Sequence, residues 1–122
     1  MKRVLDVGQC GFDHSAISHL IRGQFQAEVA QADDLQDALA QLRAAAFDLV
    51  LVNRQLDSDA SDGLEVIRQI KADPRLASIP VMLVTNYTEY HEQAVAAGAE
   101  RGFGKADLAA PTTLARLEKF LR

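Results

Sequence analysis

Phe47-Asp48-Leu49-Val50-Leu51-Val52-Asn53 is an almost unbroken apolar run closed by an amide. β-Branched and long aliphatic side chains stand together without period-2 alternation. That is the pattern of a strand covered on both faces, at the centre of a parallel sheet. In open α/β sheets, binding and chemistry gather outside the carboxyl ends of the strands. Asn53 therefore stands where a functional side chain is expected.

Working outward, residues 3–7 read as a first strand and residues 8–12 as a turn with two glycines. Asp13 is expected to cap a helix carrying Ala16, Ile17, Leu20 and Ile21, with Gly23 at its stop. Residues 25–30 read as a second strand. Asp33 or Asp34 caps a helix with Leu35, Ala38, Leu39 and Leu42 on one face. After the central strand, a polar loop carries Asp57, Asp59 and Asp62. Asp62 caps a helix bearing Leu64, Val66, Ile67 and Ile70, which Asp73-Pro74 ends. Residues 80–85 form another apolar strand, with Pro80 first. Thr88 is expected to cap a weakly apolar helix that stops at Gly98. Residues 101–104 form a short strand leading to Lys105. Thr112 or Thr113 is expected to cap a last helix with Leu114, Leu117, Phe120 and Leu121. Five strand–helix units imply a doubly wound parallel sheet in three α/β/α layers.

Composition sets the outer limits. The 122 residues suit one domain, with apolar content of 48% and charged content of 25%, both ordinary for a globular fold. A net charge of −4 with no Lys/Arg cluster argues against a nucleic-acid surface. One cysteine, Cys10, permits no internal disulfide and fits a reducing compartment. No apolar stretch reaches the roughly 18 residues of a membrane span. Asp6, Gln9 and Asp13 interrupt any leader-like core after Met1-Lys2-Arg3. A soluble, cytoplasmic protein is expected.

The five units, with Asp48-Leu49-Val50-Leu51-Val52 leading to Asp62-Gly63-Leu64-Glu65, resemble the receiver domain of response regulators. Pro80 to Thr85, Ala97-Gly98-Ala99 and Lys105 add to the likeness, which spans nearly the whole chain. It implies a flavodoxin-like (CheY-like) sheet in the order 2-1-3-4-5. It also implies a site of two acidic residues holding Mg²⁺, a phosphoacceptor Asp, a Thr or Ser, and a Lys. Carried over, these positions fall on Gly8 and Gln9, on Asn53, on Thr85 and on Lys105. The loop after Asn53 is about two residues longer than the family norm. Asp57 stands where a Pro usually follows, Ala106 replaces the Pro after the lysine, and Asn86 replaces a small residue. The aromatic switch position of strand five falls on Gly102, beside Phe103.

These departures matter chemically. Accepting a phosphoryl group needs a carboxylate nucleophile, and an amide is a poor one. Mg²⁺ prefers carboxylate oxygens, whereas Gly8 has no side chain and Gln9 and Asn53 are neutral. The expectation is a degenerate pseudo-receiver: no phosphorylation at Asn53, no Mg²⁺, no enzymatic activity. It would bind a signalling partner, or a second copy of itself, through the helix 4/strand 5/helix 5 face, where Tyr87, Tyr90 and Phe103 are the candidate contacts. Two alternatives stay open. Asp6 or Asp57 could replace the phosphoacceptor, Asp6 through a slipped register. Or Lys105, Thr85, Arg54 and the amides near Gly8 could hold a small anion or ligand. An enzyme or cofactor binder is disfavoured, since no G-x-x-x-x-G-K loop and no nucleophile–base pair is present. Cys10, Asp13, His14 and His19 lack metal-ligand spacing.

Overall fold

The computed structural model describes residues 1–122. The strands are β1 (Lys2–Val7), β2 (Ala27–Ala32), β3 (Leu49–Asn53), β4 (Val81–Val84) and β5 (Glu100–Phe103). The helices are α1 (Gly11–Gln24), α2 (Leu35–Ala44), α3 (Gly63–Ala72), α4 (Thr88–Ala96) and α5 (Pro111–Leu121), with a short 3₁₀ turn at Lys105–Asp107. All strand pairs are parallel, in the order β2-β1-β3-β4-β5. The expected fold class is the observed one.

Apolar residues of β1, β3 and β4 are covered on both faces. Leu5, Val7, Val50, Val52, Val81 and Leu83 pack with α2, α3 and Ala94 of α4. Val4, Leu49, Leu51, Met82 and Val84 pack with Ile17 and Ile21 of α1 and Leu117 and Leu121 of α5. Successive side chains of a strand point to opposite faces, so an apolar residue is needed at nearly every position. The missing alternation in the central run has this origin. No helix is long and apolar enough to cross a membrane.

Several expected boundaries move, and the caps explain why. Helix α1 begins at Gly11, where Cys10 Sγ accepts from the Asp13 N–H at 3.5 Å. Asp13 thus lies inside the first turn with its carboxylate free for other contacts. Gly23 lies within α1, and Phe25 supplies its C-cap instead of opening β2. Asp34 and Asp62 cap α2 and α3 as expected. Thr88 and Thr112 or Thr113 are not caps. Helix α4 starts after Tyr87 and α5 starts with Pro111 after Ala110, neither with a side-chain cap. Strand β5 is irregular: Met82 pairs with Glu100 but Val84 with Phe103, so one extra residue bulges at the sheet edge.

Candidate functional site

The carboxyl edge of the sheet brings together the residues that the sequence singled out. Asn53 closes β3 opposite Val84, and Thr85 follows β4 directly. Asn53, Arg54, Gln55, Thr85, Asn86, Tyr87 and Lys105 line one open depression of about 260 Å³. Gly8, just after β1, does not line it and is linked to it only through its carbonyl, which accepts from Asn53.

Asn53 is fixed by its amide. Its Nδ2 donates to Gly8 O at 3.1 Å and to Gln55 O at 2.8 Å. Both partners are carbonyl oxygens, which only accept. A carboxylate at this position would face two acceptors and lose both bonds, so the neutral amide is the group this edge is built to hold.

Gly8 is closed off as well. Its φ is +76°, and a Cβ placed on it would overlap Leu56 Cδ2 and lie 3.0 Å from Leu56 Cβ and Cγ. Leu56 is 1% exposed. It arrives there because the loop after Asn53 folds back onto the end of β1. Asp57 N donates to Gly8 O at 2.9 Å, Leu56 N donates to Ser61 O at 2.9 Å, and Gln55 bridges Asp62. The loop thus delivers an apolar side chain into the space that a side chain at position 8 would occupy.

Gln9 is buried, and neither atom of its amide has a hydrogen-bond partner. Asp6 is fully buried. It pairs in regular register with Gln31 and Leu51, so the strand has not slipped. Its side chain turns toward α1, where Oδ2 meets His14 Nδ1 at 2.7 Å. Burial raises the Asp6 carboxyl from 3.8 to about 6, with the His14 contact and the Lys105 charge opposing that rise. Asp6 does not line the depression, and Asp57 is exposed on the outer loop.

Lys105 and Thr85 keep their identities but serve structural partners. Lys105 Nζ binds Asp13 Oδ2 at 2.8 Å, and that contact is the main reason Asp13 lies below the usual carboxylate range. Thr85 Oγ1 accepts from Tyr87 N at 3.3 Å, and Thr85 O accepts from His91 Nε2 at 2.7 Å. Arg54 is engaged too, its guanidinium 4.5 Å from the Tyr90 ring centroid. No group of three or more His, Cys, Asp or Glu is placed to hold a metal. The side chains at the mapped metal positions are a hydrogen, a buried amide and an amide tied to carbonyls. This donor set does not fit a hard divalent cation.

The three aromatic candidates separate. Tyr87 is 61% exposed and meets Tyr90 edge-on at 6.1 Å. Tyr90 is half-buried against the core beneath Arg54. Phe103 is 2% exposed, inside the core between the sheet, α1 and α5, and presents no ring to a partner. The β5 bulge turns it inward. Gly102 cannot carry an aromatic in its place, since a Cβ there would overlap Leu83 O. The sequence did not assign Asp13 and His14 to this edge. A carboxylate one residue before a histidine, opposite a buried strand aspartate, was the available signal.

Comparison with known proteins agrees with this architecture. The family described as "Response regulator receiver domain" matches residues 13–110. The chemotaxis protein CheY of Pseudomonas aeruginosa is 32% identical over 69 residues, covering 57% of this chain and 54% of that protein. The match therefore spans about half the length of that relative. Among solved structures, the signal receiver domain of a DNA binding response regulator from Colwellia psychrerythraea 34H superposes with a TM-score of 0.83 at 21% identity, over 98% of this chain and 97% of that one. A chemotaxis response regulator, CheY4 of Vibrio cholerae, gives 0.73 at 24% identity, over 98% and 94%.

Proposed function

This chain belongs to the response regulator receiver domain family of two-component signalling, and from that premise we propose that it signals without being phosphorylated. It is a non-catalytic interaction domain whose phosphoacceptor edge has been rebuilt from neutral groups. The observation that carries this reading is the Asn53 amide donating to two carbonyls while Leu56 fills the space beside Gly8.

The alternatives gain little support. Asp6 is buried against His14, out of reach of a phosphodonor. Asp57 is exposed but lies beyond Leu56. The two cations lining that depression, Lys105 and Arg54, are held by Asp13 and Tyr90, which disfavours a free anion there. Mg²⁺ is not a cofactor in this reading.

The partner is a protein, or a second copy of the domain, that docks on the α4–β5–α5 face through the exposed Tyr87 ring and the Arg54–Tyr90 stack. Tyrosine and arginine are favoured at such interfaces. The test is an NMR titration with beryllofluoride and Mg²⁺. Amide signals of Asn53, Thr85 and Lys105 should stay in place. Saturable shifts at those three residues would overturn the proposal.

A further inference from the structure

We propose that the cavity between α4, β5 and α5 is a binding site for a doubly charged tetrahedral oxoanion, such as inorganic phosphate or the phosphate end of a small monoester. It shares Thr85 and Asn86 as a common wall with the Asn53 depression but opens between other elements, and it owes nothing to the phosphoacceptor argument. It measures about 120 Å³, well above the roughly 10–15 Å³ that one water needs. The size suits a single compact ion.

Donors reach it from every side. Arg101 comes from β5 and Arg116 from α5, with Thr88 from α4 and Thr112 from α5; Thr113 lines the cavity too, but its hydroxyl donates to Asp107 O at 2.7 Å. Arg116 uses Nη1 on Gly102 O at 2.8 Å, which fixes the guanidinium and leaves its remaining N–H groups available. The first turns of α4 and α5 meet here, and these are the two long helices without a side-chain cap. Uncapped first turns offer N–H groups and the positive end of the helix dipole to an anion. Two arginines and two helix N-termini converge in a chain of net charge −4. Asp107 also lines the cavity and is the one carboxylate that opposes an anion there.

His91 supplies the independent sign of a missing ligand. It lines the cavity and is 6% exposed, and its Nδ1 has no partner. Thr85 O can only accept, so His91 Nε2 carries the proton toward it. Nδ1 is then a bare buried lone pair in the neutral ring. Burial first, then Arg101 and Arg116, hold the imidazole below its usual range. An anion between those arginines would cancel their effect and let Nδ1 take a proton, whose charge answers the ion from behind the cavity wall. The charged groups facing His91 are Arg101 from β5, Arg116 from α5 and Asp107 from the turn before α5. Oxoanion binding and proton uptake are therefore coupled, and affinity rises as pH falls.

The experiment is an NMR titration of the whole chain with sodium sulfate, which does not itself titrate across pH 5.5–7.5, against sodium chloride at matched ionic strength. Saturable amide shifts are expected at Thr88, His91, Thr112 and Thr113, with Gln55 and Lys105 still. Affinity should rise at least about threefold from pH 7.5 to pH 5.5. Arg101 is exposed, so Arg101→Gln leaves the fold intact and should weaken binding about fivefold or more. Lys105→Gln should leave it unchanged. Phosphate and glycerol phosphate at pH 7.5 then distinguish a free ion from a monoester by their relative affinity. The site is refuted if the shifts fall on Gln55 and Lys105, if sulfate and chloride act alike, or if Arg101→Gln binds as tightly as wild type.

Discussion

The β1–β3 half and the β4–β5 half of the carboxyl edge have diverged in different ways. In the first half the polar positions are neutral and the space beside them is filled. Leu56 lies against Gly8, and the Asn53 amide is tied to two carbonyls. In the second half Thr85 and Lys105 keep their types but have new duties, holding the α4 entry and pairing with Asp13. A retained residue type is thus no evidence of a retained role. On the proposed reading, one added carboxylate would not make a phosphoacceptor site, because Leu56 fills the space beside Gly8 and carbonyls face Asn53.

The sharpest way to break this contrast is at Gly8. Gly8→Asp combines a positive φ with overlap on Leu56, and its expected cost is about 3–5 kcal/mol, read by urea denaturation. Leu56→Ala alone should cost about 2–5 kcal/mol through the lost buried side chain. The double variant should be more stable than the sum of the two losses, because one relieves the clash of the other. Strict additivity would show that Leu56 does not close this position.

Beneath the same half lies Asp6. Its carboxyl is raised from 3.8 to about 6, so the folded state binds the proton more tightly than the unfolded chain. The resulting stability is fully present below pH 3.8 and is lost as pH rises through about 6. Ionising the group costs on the order of 3 kcal/mol. Asp6→Asn should therefore gain on the wild type by up to that amount between pH 4 and pH 7. A constant difference between the two proteins would contradict the assignment.

Asn53→Asp sharpens the contrast from the amide side. Exchanging two donated bonds for a carboxylate facing two carbonyls should cost about 1–3 kcal/mol at pH 7. Here too protonation relieves the repulsion, so the deficit should shrink on acidification. In the β4–β5 half the expected effect is smallest. Lys105→Gln breaks a half-exposed ion pair and should cost less than about 1 kcal/mol, falling further with added salt. A loss comparable with that of Leu56→Ala would mean the two halves are not different in kind.

The contrast also marks what a sequence can disclose. The continuous runs of β3 and β4 fixed their central places, because burial on both faces demands apolar residues without alternation. Asp34 and Asp62 were legible as caps, since their side chains act within three residues of the helix start. That Gly8, Gln9 and Asn53 bring no carboxylate to this edge is legible from residue type alone. The closure by Leu56 was not. It depends on the path of a lengthened loop returning to a distant strand, and no local pattern reports that. The inward turn of Phe103 follows from a one-residue bulge in β5, which reverses which face a strand residue occupies. The partners of Asp6 and Lys105 are likewise set by how α1 lies over the sheet. Asp13 and Thr112 or Thr113 resemble caps in sequence, yet Cys10 and the Ala110-Pro111 step start those helices.

The central claim is that this edge cannot accept a phosphoryl group. Intact-mass spectrometry after incubation with acetyl phosphate and Mg²⁺, on the wild type and on Asn53→Asp, tests it most directly. No gain of a phosphoryl mass is expected on either protein: the wild type lacks the nucleophile, and the variant still lacks a second acidic ligand beside Leu56. A stoichiometric phosphoryl gain on the wild type would contradict the account.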